Sequence, residues 1–549
     1  MKRFDLITPE GTNELIFEDC AVRRGVEERL AKLFTEKGYR EVVTPGLEFF
    51  DIFNLNSRYF PQESMYKLTD GKGRLLVARP DSTLPIARIA ATRLKDSLPL
   101  RLFYCQDVYR NNPVMRGKSI EIRQMGIELI GDVEDADMEV IKTAIETLSL
   151  CGGEFRIELG DISFFRELMN RLDADEDKKE NIRRLIEAKN YPALNDLLDS
   201  IGENSITRVL KRLPGLFGGE EVFEKAQELF ARELFTDEKT DCFLLNLKEF
   251  YHSLVSLGLG GQITVDLGIV NKMHYYTGIV VKGYIRGYGD SVLSGGRYNN
   301  LLSEFGSNAP AVGFAVNINA VSKLNKELNG VPSALKEPRP LRIALTKGRL
   351  EKDTITLLEK IGYDCSDVRD KGRRLILAIE KKEAQSVIEV VLAKADDVIT
   401  YVENGVCDMG VVGKDIITER SGKFFELADL GFGRCRLSLA VKKGTDFYKG
   451  YNVKTIATKY PNSARAFFEE KSIDVDIVKI EGSVELAPLL NLSDAIVDIV
   501  ETGSTLRENG LEVIEEISTI SARLIVNTVS LKLHQKEIEQ LLNSINNEQ

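Results

Sequence analysis

Residues 498 to 506, DIVETGSTL, set two carboxylates, Asp498 and Glu501, three residues apart and follow them at once with Thr502, Gly503, Ser504 and Thr505. A turn of glycine and small hydroxyl residues at the mouth of a helix presents backbone N–H groups and a partial positive charge, which suits a phosphate. The neighbouring carboxylates would repel that phosphate. The conflict disappears if one ligand carries a phosphate and, a few ångströms away, two hydroxyls that donate to Asp498 and Glu501, as a ribose 5-phosphate does. By themselves these residues serve equally well as an ordinary strand-to-helix turn capped by Thr502 or Ser504.

A second loop points the same way. LTKGRL, 345 to 350, sets Lys347 and Arg349 around Gly348 between a strand and a helix, a composition suited to polyphosphate. DMGVVGKD, 408 to 415, adds glycine turns, Gly413 among them, and ATKYPNSARAFF, 457 to 468, brings Lys459, Tyr460 and Arg465 to another strand end.

The elements that must hold these loops follow from periodicity. DAIVDIV, 494 to 500, is a strand-like apolar run, and TLRENGLEVIEEI, 505 to 517, reads as the start of a helix. From RIALTKG onward short apolar strands alternate with helices, which predicts α/β units with mostly parallel sheets and ligand loops at the carboxyl ends of their strands. The seam LNGVPSALKEPRPLRIALTKG puts a domain boundary near residue 335. Upstream, EDCAVRRGVEERLAKLFTEKGY has helical periodicity, while KGRLLVARP, RLFYCQDVYR, EIRQMGIELIG, QITVDLG and GIVVKGYIRGY look like strands of one mainly antiparallel sheet. Residues 162 to 258, charged and leucine-rich, read as a helical insertion with solvated faces.

Composition bounds the rest. At 549 residues the chain exceeds a single core, and 43% hydrophobic with 29% charged residues excludes wholesale disorder. No apolar run is long enough for a membrane span and the amino terminus lacks a signal-peptide core, so a cytoplasmic location is expected. The seven cysteines are scattered and contain no CxxC pair, as suits a reducing compartment. Three distant histidines, His252, His274 and His534, signal neither a metal site nor a catalytic triad, and a net charge of −11 argues against a large nucleic-acid footprint.

In this order the downstream segments resemble the short form of ATP phosphoribosyltransferase, the enzyme of the first step of histidine biosynthesis. The resemblance runs over nearly all of 341 to 534, through LRIALTKGRL, YVENGVCDMGVVGKD, CRLSLAVKK, IATKYPN, EGSVELAPLLNLSDAIVDIVETGSTL and ISARLIVN. It implies an α/β transferase with two lobes of periplasmic-binding-protein type (type II), 341–432 with 521–549 and 433–520, and a site in the cleft. The reaction it implies joins C1 of phosphoribosyl pyrophosphate to N1 of ATP and releases pyrophosphate. Fixed anions are then needed near the ribose, from Asp498 and Glu501, and cations near the leaving group, from Lys347 and Arg349. Gly348, Gly413, Arg436, Lys459, Tyr460, Thr502, Gly503, Ser504 and Thr505 match substrate contacts of the family. Mg2+ is expected on the pyrophosphate rather than on protein ligands, with no organic cofactor. Ser504 stands where an arginine is frequent, and Lys394 where an arginine is expected.

The upstream half resembles the catalytic core of class II aminoacyl-tRNA synthetases, specifically histidyl-tRNA synthetase, an α+β fold of antiparallel sheet with helices. GYREVVTPGLE resembles the first class motif, RLFYCQDVYRN with EIRQMGIELIG the second, and LSGGRYNNLLSEFG with AVGFAVNINAV the third, while ARPDST and MHYYTG resemble histidine-binding stretches. Asp81, Thr83, Arg110, Gln124, Glu128, Tyr275 and Tyr276 match that amino-acid pocket. Two cations of the synthetase are replaced, by Asn271 ahead of the Tyr-Tyr pair and by Ala320 at the end of the third motif, and no anticodon-binding domain follows. This is the pattern of the transferase's synthetase-like regulatory subunit, here as residues 1–330 joined by a linker, 331–340, to a catalytic domain, 341–549. It implies histidine as a feedback inhibitor, no tRNA binding, and a homodimer or homotetramer. The alternative is an aminoacylating enzyme of histidyl-tRNA-synthetase type with an added ligand-binding domain.

Overall fold

The computed structural model describes residues 6–548 apart from 56–60, 112–118, 234–237, 271–274, 330–338, 382–385, 421 and 451. The chain divides into two compact units, Met1–Glu337 and Pro338–Gln549.

The first unit is built on a nine-stranded sheet. Its long hairpin, Leu100–Tyr109 against Glu121–Ile130, continues antiparallel through Ala311–Asn317, Leu293–Arg297, Ile279–Ile285 and Phe155–Asp161. Parallel pairing joins Arg40–Glu41 to Leu100–Tyr109 and Ile263–Asp266 to Phe155–Asp161. KGRLLVARP does not enter this sheet. Its strand, Leu75–Ala78, lies between Leu47–Phe49 and Lys67–Thr69 in a separate three-stranded sheet.

Both faces of the large sheet are covered, so strand side chains alternate between two cores. Phe103, Met125, Ile127 and Leu129 pack with Val26, Leu30 and Phe34 of the helix Glu18–Glu36 and with the helix Ala136–Cys151. Leu102, Tyr104 and Ile130 join a smaller cluster with Leu84 and Ile86 of the helix Thr83–Ala91. Glu128 shares the parity of Ile130 and therefore faces this second cluster. Between Ile162 and Ser256 lie six α-helices among the described residues, and Asp161, Asp175, Asn190 and Asn204 cap four of them by accepting first-turn N–H groups. A buried ion pair, Lys189 to Asp266 at 2.8 Å, fastens this segment to the sheet.

The second unit holds a six-stranded and a five-stranded sheet. The first is ordered Ile376–Lys381, Ser386–Ala393, Leu341–Thr346, Met409–Gly413, Ala522–Val526, Phe425–Asp429. The second is ordered Val475–Lys479, Lys454–Thr458, Ala495–Val500, Cys435–Lys442, Leu511–Ile520. The chain leaves the first sheet after Asp429 and returns to it at Ala522, and one apolar cluster, with Ile416 on one side and Leu439, Phe468 and Val497 on the other, joins the two.

Two further expectations need correction. The sheets are mixed rather than mostly parallel: strands linked through helices pair parallel, whereas the hairpin at Ile376–Ala393, the returning strand and the pair around Cys435–Lys442 are antiparallel. The helix expected over 505–517 spans only Ser504–Glu508, and Leu511–Ile520 is a strand. Asn509-Gly510, with Gly510 at φ 69°, ends the helix, and the β-branched Val513, Ile514, Ile517 and Thr519 favour a pleated surface. No helix among the described residues is long and apolar enough to cross a membrane.

Candidate functional site

In the second unit the strand Ala495–Val500 carries Asp498 near its carboxyl end, and the chain turns through Glu501, Thr502 and Gly503 into the short helix. Gly503 lies at φ 71°, a conformation that favours glycine. The Thr502 and Ser504 hydroxyls are 3.0 Å apart, and Arg507 folds back to donate to the Thr502 carbonyl at 3.1 Å. Thr505 is exposed in the first turn of that helix. Asp498 is half-buried and accepts the N–H of Ile499 at 2.8 Å. Burial raises its carboxyl above the usual range; the Ile499 N–H lowers it, Glu485 raises it further and Lys459 lowers it.

The strand Leu341–Thr346 ends in Lys347, Gly348 and Arg349. The Lys347 N–H donates to the Ala393 carbonyl at 2.9 Å, which places Lys347 and Lys394 at the adjacent ends of two parallel strands. Gly348 adopts φ 105° with open space where a Cβ would stand, so the loop needs glycine for its conformation rather than for room. Arg349 forms an ion pair with Glu501 and approaches Asp353 at 3.9 Å. Two loops remote in sequence thus meet at one pair of side chains.

A third loop brings Lys459, which makes no ion pair among the described residues and lies 5.9 Å from the Tyr460 ring centroid. Tyr460 donates to Asp415 at 3.1 Å; burial raises both groups above their usual ranges, and Asp415 lifts the phenol further. Gly413 lies close under Asp415: a Cβ there would fall 2.2 Å from Asp415 Oδ1 and displace that carboxylate. One turn along the helix Lys414–Arg420, Glu419 accepts the N–H groups of Asn462 and Ser463, each at 3.0 Å, and so occupies the N-terminus of the helix Pro461–Glu470. Arg465 is exposed on that helix. Arg436 pairs in register with Val500, but its guanidinium is engaged by Glu516.

The first unit holds a second polar cluster. Glu128 is 2% exposed and accepts hydroxyl hydrogens from Thr83, at 2.8 Å, and from Tyr298. Asp81 Oδ1 accepts the N–H groups of Thr83 and Leu84 at 2.8 and 3.1 Å. Neither carboxylate has an ion-pair partner among the described residues, although Arg110, which donates to the Pro80 carbonyl at 3.1 Å, brings positive charge toward Asp81. Tyr275 lies 4.8 Å from Tyr276 and 5.8 Å from Tyr298 between ring centroids. Glycines make the space: a Cβ on Gly313 would strike Glu128 at 1.9 Å, and one on Gly126 the Tyr104 hydroxyl at 2.7 Å. Burial pushes Glu128 up to about 8, the Tyr298 and Thr83 hydroxyls oppose the shift, and Asp81 adds to it. Gln124 shares the strand parity of Glu128 and pairs with Gln106 and Asn317. Two buried acids that form no ion pair among the described residues, ringed by phenols, suit an ammonium or an imidazole.

Sequence reasoning does not find Asp415, Arg507, Tyr104 or Tyr298. The alternation of Leu102 and Tyr104 against Phe103 is the signal for one of them; the others depend on distant packing. Asn271 lies outside the described residues, and Ala320 is buried in the core with its N–H held by Asn317 at 3.1 Å.

A family profile described as Histidyl-tRNA synthetase matches residues 11–321, and one described as ATP phosphoribosyltransferase matches 394–547. Over 328 residues the chain is 44% identical to a Clostridium kluyveri protein named ATP phosphoribosyltransferase regulatory subunit, spanning 59% of this chain and 82% of that one. Over 207 residues it is 56% identical to a second protein of that organism, named ATP phosphoribosyltransferase, spanning 38% of this chain and 93% of that one. A crystal structure described as an ATP phosphoribosyltransferase regulatory subunit/histidyl-tRNA synthetase from Bacillus halodurans C superposes with a TM-score of 0.54 at 29% identity, covering 72% of this chain and 94% of that one.

Proposed function

We propose, from the premise that this chain belongs to the histidyl-tRNA synthetase family through its first unit and to the ATP phosphoribosyltransferase family through its second, that the two units are sensor and catalyst of one enzyme. The activity is that of ATP phosphoribosyltransferase, the first step of histidine biosynthesis: phosphoribosyl passes from phosphoribosyl pyrophosphate to N1 of ATP and pyrophosphate leaves. The aminoacylating alternative is not favoured, because the buried Ala320 offers no cation to an adenylation transition state.

The meeting of two loops at Arg349 and Glu501 carries the site assignment. As the C1–O bond breaks and the C1–N1 bond forms, positive charge builds on the ribose and negative charge on the departing group. Asp498 and Glu501 face the ribose hydroxyls, the Thr502–Thr505 loop takes the 5-phosphate, and Lys347, Arg349 and Lys459 take the pyrophosphate. Arg349 neutralises Glu501 in the free protein, so an arriving pyrophosphate that draws off Arg349 also releases Glu501 to the ribose. Arg436 contributes once Glu516 lets it go. No protein nucleophile is required. The two mixed sheets, crossed twice by the chain, support a periplasmic-binding-protein-like pair of lobes with this site in the cleft. A Mg2+ arriving on the pyrophosphate would neutralise part of its charge and help it leave.

In the first unit the Asp81, Thr83 and Glu128 cluster is the site for histidine, bound as a feedback inhibitor without adenylation or tRNA. The assembly is a homodimer or homotetramer acting in the cytoplasm. The direct test mixes purified protein with ATP and phosphoribosyl pyrophosphate and follows pyrophosphate release. Release should need both substrates; none with both present overturns the reading.

A further inference from the structure

The strand Cys435–Lys442 lies between Ala495–Val500 and Leu511–Ile520. Ser438 pairs directly with Asp498, so the two side chains leave the sheet on the same face. On its other side Ser438 pairs with Glu516, and the register shifts just before Ser438 and again just after Leu439. Irregularities of this kind re-aim side chains next to functional sites. Ser438 is 0% exposed, and its Oγ has no hydrogen-bond partner among the described residues. A buried hydroxyl left unpaired costs free energy that an alanine would not, and Ala440, two residues along the same face, is the apolar solution.

Asp498 has the matching deficit. Its carboxylate is held by the Ile499 N–H, and the charged or titratable groups that face it are Glu485, Lys459 and Tyr460. Glu516, across from Ser438, is committed to Arg436. We propose that Ser438 is a positioning residue for phosphoribosyl transfer, its hydroxyl turning to donate to the Asp498 carboxylate when that group engages the ribose. Directly opposed residues have Cβ atoms about 4.5–5.5 Å apart, so rotation about Cα–Cβ brings Oγ into hydrogen-bond reach. The inference rests on the assignment of Asp498 to the ribose.

The test compares kcat and KM across the acid limb of the pH profile for Ser438→Ala, Ser438→Thr, Asp498→Asn and the double variant. Ser438→Ala should lower kcat about 10-fold, leave KM for ATP unchanged, and move the acid limb upward by about one pH unit, because the ionised acid loses a donor. Ser438→Thr, which keeps the hydroxyl, should return the limb toward wild type. In the Asp498→Asn background Ser438→Ala should add nothing. An unshifted limb in Ser438→Ala, with activity reduced only in proportion to the folded fraction, overturns the inference and leaves Asp498 in place. Full turnover in Asp498→Asn instead removes the assignment on which the inference stands.

Discussion

At Asp498 burial favours the neutral acid, while the ribose proposed to sit against it would favour the anion as it gathers positive charge. Asp498→Asn and Glu501→Gln should each lower kcat by on the order of 100-fold with the fold unchanged by circular dichroism, since each removes charge used in the transition state. Wild-type turnover in both variants sinks the ribose assignment. Glu128 is displaced in the same direction for a different end. Its folded value of about 8 lies above the usual 4.5, so the bound proton stabilises the fold. That contribution is fully present below 4.5 and is lost as pH rises through about 8. Thermal unfolding across that window should show wild type losing several degrees relative to the permanently neutral Glu128→Gln; parallel curves would remove the buried acid from the pH dependence.

At the level of loops and strands, the site depends on backbone shapes that side chains cannot supply. Gly348 at φ 105° is the clearest case, because Ala there meets no neighbour and yet must adopt a strained conformation. Gly348→Ala should cost about 1–3 kcal/mol of stability and raise KM for phosphoribosyl pyrophosphate, as the cations on either side move. A variant with wild-type Tm and KM argues against a preformed loop. The same loop shows what could be read in advance. Lys347, Gly348 and Arg349 announce themselves by composition between a strand and a helix, and the acid-acid-Thr-Gly turn does likewise. What composition cannot carry is who meets whom: Arg349 with Glu501, or Asp415 with Tyr460, are contacts across long stretches of chain. The strand Leu511–Ile520 is a different failure. Its Leu, Val and Ile spacing suits either period, and the Asn509-Gly510 turn ahead of it was the deciding mark.

For the whole chain, the proposal that the Asp81, Thr83 and Glu128 cluster takes histidine, joined to an enzyme of histidine synthesis, predicts feedback. Histidine should bind stoichiometrically by calorimetry, inhibit transfer, and lose both effects in Gln124→Ala and Glu128→Gln. By linkage, saturating substrate should weaken histidine by the factor with which histidine weakens substrate, about 5- to 150-fold for coupled sites. Inhibition that survives loss of binding at this cluster moves the sensor elsewhere. Residues 1–335 alone should show no histidine-dependent exchange of pyrophosphate into ATP, and exchange there would restore the synthetase reading. The topology of the second unit also orders its synthesis. Phe425–Asp429 has one partner strand, Ala522–Val526, and that partner is made only after the entire five-stranded sheet. On the ribosome the later-begun sheet can close first, while the earlier one waits with an open slot, so a nascent chain halted before Ala522 carries both the Lys347–Arg349 and the Thr502–Thr505 loops and cannot complete the six-stranded sheet.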